Sequence, residues 1–142
     1  MDTKFSVAVH ILILISEAPN PLNSDQLAGS VGTNASYIRK ILSLLKKSGI
    51  IDSHRGVSGY VLTTTPDQIT LLGIYQAVMD EPKIHLLDIH QNPNDQCVVG
   101  RHIRPMLTGM FGGIEEAFTR ELSQKTLADC IEAIRAEMSQ TV

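Results

Sequence analysis

Asn34 to Tyr60 reads NASYIRKILSLLKKSGIIDSHRGVSGY, and its hydrophobic period changes once along the way. Up to Ser48 the apolar residues Ile38, Ile41, Leu42 and Leu45 recur at three- and four-residue spacing, which places them on one face of a helix. Asn34 offers that helix an N-cap and Gly49 a stop. Beyond Gly49 the pattern predicts two short extended segments, Ile50 to His54 and Tyr60 to Thr64, joined through Arg55-Gly56-Val57-Ser58-Gly59. A helix followed directly by a hairpin with a basic tip is the back half of a winged helix-turn-helix.

The front half lies immediately upstream. Asn23, with Gln26 three positions on, forms a capping-box start for a helix through about Val31, and Gly32-Thr33-Asn34 turns the chain into the next helix. Ala28 supplies a small residue where the two helices cross, Gly32 suits a turn position with positive φ, and Ile38 and Ile41 anchor the later helix on the core. Before this pair, Phe5, Val7 to Val9 and Ile11 to Ile15 leave little polar face, so a first helix buried nearly all round is expected, ended by Pro19 and Pro21. Downstream, a helix over Thr70 to Met79 and a linker or loop over Asp80 to Gln96 precede a long amphipathic helix from about Val98 to Leu122. Pro105 and the Gly109, Gly112 and Gly113 cluster should weaken or bend it. A last helix starts at Thr126, with Asp129 in the capping-box position. The expected fold class is mainly α with a small β-hairpin: a winged helix-turn-helix domain over 1–80, a linker or sensor loop over 81–97 and long C-terminal helices over 98–142.

Composition bounds what such a fold can be for. A chain of 142 residues, 43% apolar and 19% charged, forms one hydrophobic core, and two cysteines 33 positions apart exclude a disulfide scaffold. The most apolar stretch, Phe5 to Ile15, covers 11 residues and is too short for a bilayer span. The N-terminus lacks the basic start and small-x-small site of a signal peptide, so a cytoplasmic location is expected. The net charge of -3 conceals an asymmetry, because residues 1–66 carry +2 and the remainder -5. Between Tyr37 and Tyr60 five bases face the single acid Asp52, a local basic patch of the kind a polyanion recognises.

Double-stranded DNA is the partner this arrangement predicts. The third helix would lie in a major groove, with Ser36, Tyr37, Arg39 and Lys40 exposed near its N-terminus and within reach of base edges or phosphates. The planar fork of Arg39 suits guanine, whereas Lys40 acts as a point charge on phosphate. Lys46 and Lys47, near the helix end, serve either backbone contacts or the helix dipole. At the hairpin tip Arg55, beside Gly56, is expected to enter a minor groove or bind a phosphate.

Four runs carry a family likeness: NASYIRKIL (34–42), LKKSGII (45–51), SHRGVSGY (53–60) and ITLLGIYQAV (69–78). They resemble the Rrf-two family of bacterial transcription regulators over most of residues 1–80. The resemblance implies a homodimer, joined by the long C-terminal helices of 98–142, that sets two winged domains on a pseudo-palindromic operator and represses transcription. Two departures stand out. Family members often have two glycines before the wing tyrosine where this chain has only Gly59, which implies a shorter wing. Cluster-binding members carry three cysteines, each separated by five residues, in the loop before the long helix. Counting from Cys97, the matching positions here are Ile103 and Gly109, so no iron–sulfur cluster, and no other cofactor, is expected. Cys97 then stands either as a redox-sensing thiol, favoured by a helix N-terminus with Arg101 and His102 about one turn on, or as an inert loop thiol. A small-molecule effector is the other expected switch.

Other reactive residue types yield less. Cys130 falls in the apolar stripe of Leu127, Ile131, Ile134 and Met138 and reads as packing. His85, His90 and His102 match no standard metal-ligand spacing, and no nucleophile with a matched base is apparent, so catalysis is not expected. Met106, Met110 and Phe111 are expected to line a dimer face or an effector pocket. Two competing classes stay open at this point: a winged-helix module that docks an acidic protein without specific DNA binding, and a small metal-dependent enzyme.

Overall fold

A computed structural model of the chain describes residues 2–53, 56 and 58–140. The described residues form α1 (Lys4–Glu17), α2 (Ser24–Val31), α3 (Ala35–Lys47), β1 (Ile51–Ser53), β2 (Tyr60–Leu62), α4 (Leu71–Met79), α5 (Val98–Ser123) and α6 (Leu127–Ser139), with a 3-10 turn at Pro66–Gln68. This is the mainly α, winged helix-turn-helix class that the sequence predicts.

The helix starts follow local capping chemistry. Asn23 Oδ1 accepts from the Gln26 N–H and Gln26 Oε1 from the Asn23 N–H, each at 2.9 Å, closing the expected capping box. Asn34 Oδ1 accepts from the Tyr37 N–H at 2.8 Å, Thr70 Oγ1 from Gly73 at 3.0 Å, and Thr126 with Asp129 closes a second box. Gly32 ends α2 at φ 83°, a left-handed conformation that a side chain would disfavour.

Among the described residues, β1 starts one residue later and β2 ends two residues earlier than the sequence predicts. The Ile50 N–H is already taken by Leu45 O of α3 at 3.1 Å, so pairing starts one residue later, with Ile51 opposite Leu62 and Ser53 opposite Tyr60. His54, at the expected end of the first strand, lies outside the described residues. The hairpin is pinned to the α1–α2 connection, where Leu22 bridges Tyr60 and Gly59 sits at φ 151°. A Cβ on Gly59 would stand 2.5 Å from Pro21 Cβ, so only glycine lets the wing approach that closely.

One core joins Ala8, Ile11 and Leu12 of α1 to Leu27, Ile38, Ile41, Leu42, Leu45, Ile51, Ile74 and Val78. Leu127 and Ile131 of α6 belong to it as well. Backbone bonds hold α6 in place, Leu71 N–H to Lys125 O at 2.9 Å and Leu127 N–H to Ile69 O at 2.8 Å, and Arg135 forks onto Glu17 at 2.8 Å. The expectation of all-round burial for α1 needs correction. Ala8, Ile11, Leu12 and Ile15 are buried, whereas Val7, Val9, Ile13 and Leu14 are half-buried because the neighbouring elements of this single chain do not close over them.

α5 runs unbroken through Pro105 for 26 residues and buries only Leu122. It meets α4 through an edge-on aromatic series, Phe118 to Tyr75 at 5.7 Å and Tyr75 to Phe5 at 5.3 Å. No helix among the described residues is long and apolar enough to cross a membrane.

Candidate nucleic-acid interface

The buried side of α3 dictates its open side. With Ile38, Ile41, Leu42 and Leu45 turned inward, the helical period leaves Ser36, Arg39, Lys40, Ser43, Lys46 and Lys47 exposed along the outer face. Arg39 and Lys40 make no hydrogen bond or ion pair among the described residues, so both heads are free for a ligand. Tyr37 differs from the sequence expectation, since its ring is half-buried against the core rather than exposed. The reason is its place between the inward and outward faces of the first turn.

The two later lysines have partners within the chain. Lys46 Nζ donates to Ser53 Oγ at 3.0 Å and lies 4.0 Å from Asp52, tying α3 to the base of the wing. Lys47 pairs with Asp80 at 3.3 Å, linking α3 to the end of α4. Both pairs are exposed and therefore weak, so a phosphate can compete for either ammonium. Gly56 is exposed at φ 77°; Arg55 lies outside the described residues. Sequence reasoning missed Ser43 and Ser53. The first was detectable from its three- and four-residue spacing to Arg39 and Lys40, the second only from the fold.

The expected sensor loop is strapped to α5. Glu115 Oε2 accepts the Leu86 N–H at 2.5 Å and the Leu87 N–H at 3.2 Å, and these bonds hold its carboxyl below the ordinary carboxylate range. Arg104 donates to the His90 carbonyl. Cys97 is the exposed N-cap residue of α5, and its N–H donates to Asn94 O at 3.2 Å. His102 turns its Nδ1 onto Val98 O at 2.7 Å. Cys130 is half-buried, and burial with the neighbouring Asp129 charge pushes its thiol up, as suits a packing residue.

Comparison with known proteins gives one consistent answer. The Rrf2 family model, described as "Iron-dependent Transcriptional regulator", matches residues 1–133. The chain is 39% identical over 129 residues to the Bacillus subtilis (strain 168) protein named "Putative HTH-type transcriptional regulator YwnA", covering 91% of this chain and 95% of that one. A crystal structure described as "a putative DNA binding protein" is 37% identical and superposes with a TM-score of 0.74, covering 90% of this chain and 98% of the other. T. potens IscR shares the fold, with a TM-score of 0.71 at 19% identity over 100% of this chain and 91% of its own.

Proposed function

The chain belongs to the Rrf2 family of transcriptional regulators and is a DNA-binding regulator of transcription, and from that premise we propose that it works as a homodimeric repressor on a pseudo-palindromic operator. The observation that carries this reading is the outer face of α3, where Arg39 and Lys40 stand exposed without a partner among the described residues. In the proposed complex α3 lies in the major groove. Arg39 reads a guanine through its fork, Ser36 and Tyr37 contact the first phosphates, and Lys40 neutralises another. Lys46 and Lys47 exchange their intramolecular partners for backbone phosphates, while Arg55 and Gly56 bring the wing to the minor groove.

The division into a winged domain over 1–80, a sensor loop over 81–97 and dimerisation helices over 98–142 is part of the same reading. α5 supports it. Val99, Met106, Met110 and Ile114 recur along one face of α5 and are 69, 48, 64 and 52% exposed, more apolar surface than an isolated helix keeps in water without cause. Gly109 and Gly113 flank that stripe, and a Cβ on either meets nothing within 4 Å inside the chain. A mid-helix glycine weakens a helix by about 1 kcal/mol relative to alanine. A second α5 approaching closely is the reason we assign to both. Two recognition helices would then reach half-sites one duplex turn, about 34–36 Å, apart.

The family description names iron, and the residues of this chain do not fit an iron site. Cys97 has Ile103 and Gly109 where further thiolates would be needed, and no group of three His, Cys, Asp or Glu among the described residues could hold a metal. The switch we propose instead is the Cys97 thiol, exposed at the first turn of the pairing helix. Mild peroxide should then release DNA from the wild type and not from Cys97→Ser.

Selection of duplexes from a random pool by the purified chain tests the function directly. Arg39→Ala should cost about 1–3 kcal/mol and relax preference at one base position, whereas Lys40→Ala should weaken all duplexes alike and flatten the salt slope by about 0.9. Binding with no preference over bulk DNA would overturn the operator reading in favour of an acidic protein partner.

A further inference from the structure

A cleft of about 410 Å³ opens where α4, the 82–84 segment and the second half of α5 meet. Its apolar lining comes from Pro82, from Ile84, which is 4% exposed, and from the bare backbone of Gly112. A Cβ at Gly112 would meet nothing within 4 Å, so no neighbour in the chain demands glycine in this helix interior. The missing side chain keeps the cleft open.

The polar groups around it divide into occupied and free. Gln76 Nε2 donates to Pro82 O at 2.9 Å, and Glu115 is occupied by the Leu86 and Leu87 amides. Lys83 and Arg120 make no ion pair or side-chain hydrogen bond among the described residues, against one carboxylate in the lining, Glu116, that is equally free. Two cations thus balance two carboxylates around the apolar lining; with Glu115 turned onto the amides, Lys83 and Arg120 are the side chains left to donate to a ligand. Gly112 and Thr119 lie roughly opposite Met110 and Ala117 around α5, facing away from the exposed stripe, whereas Arg120 lies nearly in line with Gly113, so a second α5 paired through the stripe would border the Arg120 edge of the cleft.

The cleft also touches the reading head. Asp80, the left-handed C-cap of α4 at φ 53°, holds Lys47 of α3 at 3.3 Å, and Pro82 two residues on is bonded to Gln76 in the cleft wall. A molecule seated against Pro82 and Gln76 bears on the segment that holds the end of α3. We propose that this cleft is an effector site for a small organic carboxylate with an apolar body, bound by Arg120 and Lys83 over Ile84 and Gly112, and that filling it changes operator affinity. The second half of this proposal rests on the regulator reading above.

The test titrates 2-naphthoate by calorimetry into the full chain, with 2-naphthamide as its uncharged match. Naphthoate should bind the wild type, the amide and the Arg120→Gln variant should each show at least about tenfold weaker binding, and Gly112→Leu, which fills the cleft, should abolish it. Circular dichroism and ligand-free DNA binding should be unchanged in both variants, and naphthoate should shift wild-type affinity for a selected duplex about fivefold or more while leaving Gly112→Leu unmoved. Absence of naphthoate binding, equal binding to wild type and Gly112→Leu, or binding that leaves DNA affinity unchanged would each overturn the proposal. If no duplex is preferred, the regulator reading fails instead, and the calorimetric arm, which uses no DNA, still decides the cleft.

Discussion

α3 and α5 solve the same problem in opposite ways. The 13-residue α3 buries Ile38, Ile41, Leu42 and Leu45 within its own chain and leaves a polar, basic face outside. The 26-residue α5 buries only Leu122 and leaves Met106, Met110 and Ile114 in the open. A helix whose apolar residues are already covered has its outer face free for a polyanion; one whose apolar residues are uncovered has a face that suits the dimer proposed above. The contrast separates a helix whose apolar face is covered within the chain from one whose apolar face is not.

The largest effect should come from the closed side. Leu45→Ala removes a fully buried side chain and should cost about 2–5 kcal/mol. Denaturant melts should show that loss to the same extent at every protein concentration; a concentration-dependent loss would blur the distinction between the two helices. On the open side, Met110→Glu with Ile114→Glu should convert the proposed dimer to a monomer by analytical ultracentrifugation and lower affinity for a two-half-site duplex about a hundredfold, since the second reading head is no longer tethered. A dimer that persists in this variant would remove α5 from the interface.

The smallest expected effect lies in the strap between them. The bond to Asp88, with the charges of Asp88, Glu115 and Glu81, raises His85 above its ordinary 6.5, against a small opposing effect of burial. The Leu86 and then Leu87 amides, with the charges of His85 and Lys83, hold Glu115 below its ordinary 4.5, again against burial. A raised imidazole favours first the His85–Asp88 contact inside the loop and then its approach to Glu115, at pH below its ordinary value, and loses that contribution as pH rises through its folded value. A lowered carboxyl contributes above its ordinary value and loses the contribution as pH falls through its folded one. Protection of the Leu86 and Leu87 amides, taken relative to their intrinsic exchange at each pH, should therefore be greatest between about pH 4.5 and 6.5 and fall on either side. Protection that stays flat from well below about pH 4.5 to well above about pH 6.5 would mean the strap is held by packing alone.

Much of the fold was legible because its signals are short-range. The caps at Asn23, Asn34, Thr70 and Thr126 act within three residues of themselves, and each starts a helix where the sequence places it. The start of β1 was not legible, because the Ile50 N–H bonds back to Leu45 of α3 while only its carbonyl reaches Thr63 across the hairpin. At the candidate interface the outward period of α3 could be read directly, but the half-burial of Tyr37 and the partners of Lys46 and Lys47 could not.

By itself the sequence determined which segments are helices, which face of α3 is polar and that α5 carries an apolar stripe, since period and capping are properties of neighbours along the chain. The tertiary structure alone decided that Arg135 grips Glu17, that Glu115 holds Leu86, and that α4, Ile84 and Gly112 enclose a cleft. Those pairings join residues as far as 118 positions apart, and only closure of the core, which no local hydrogen bond encodes, brings them within reach.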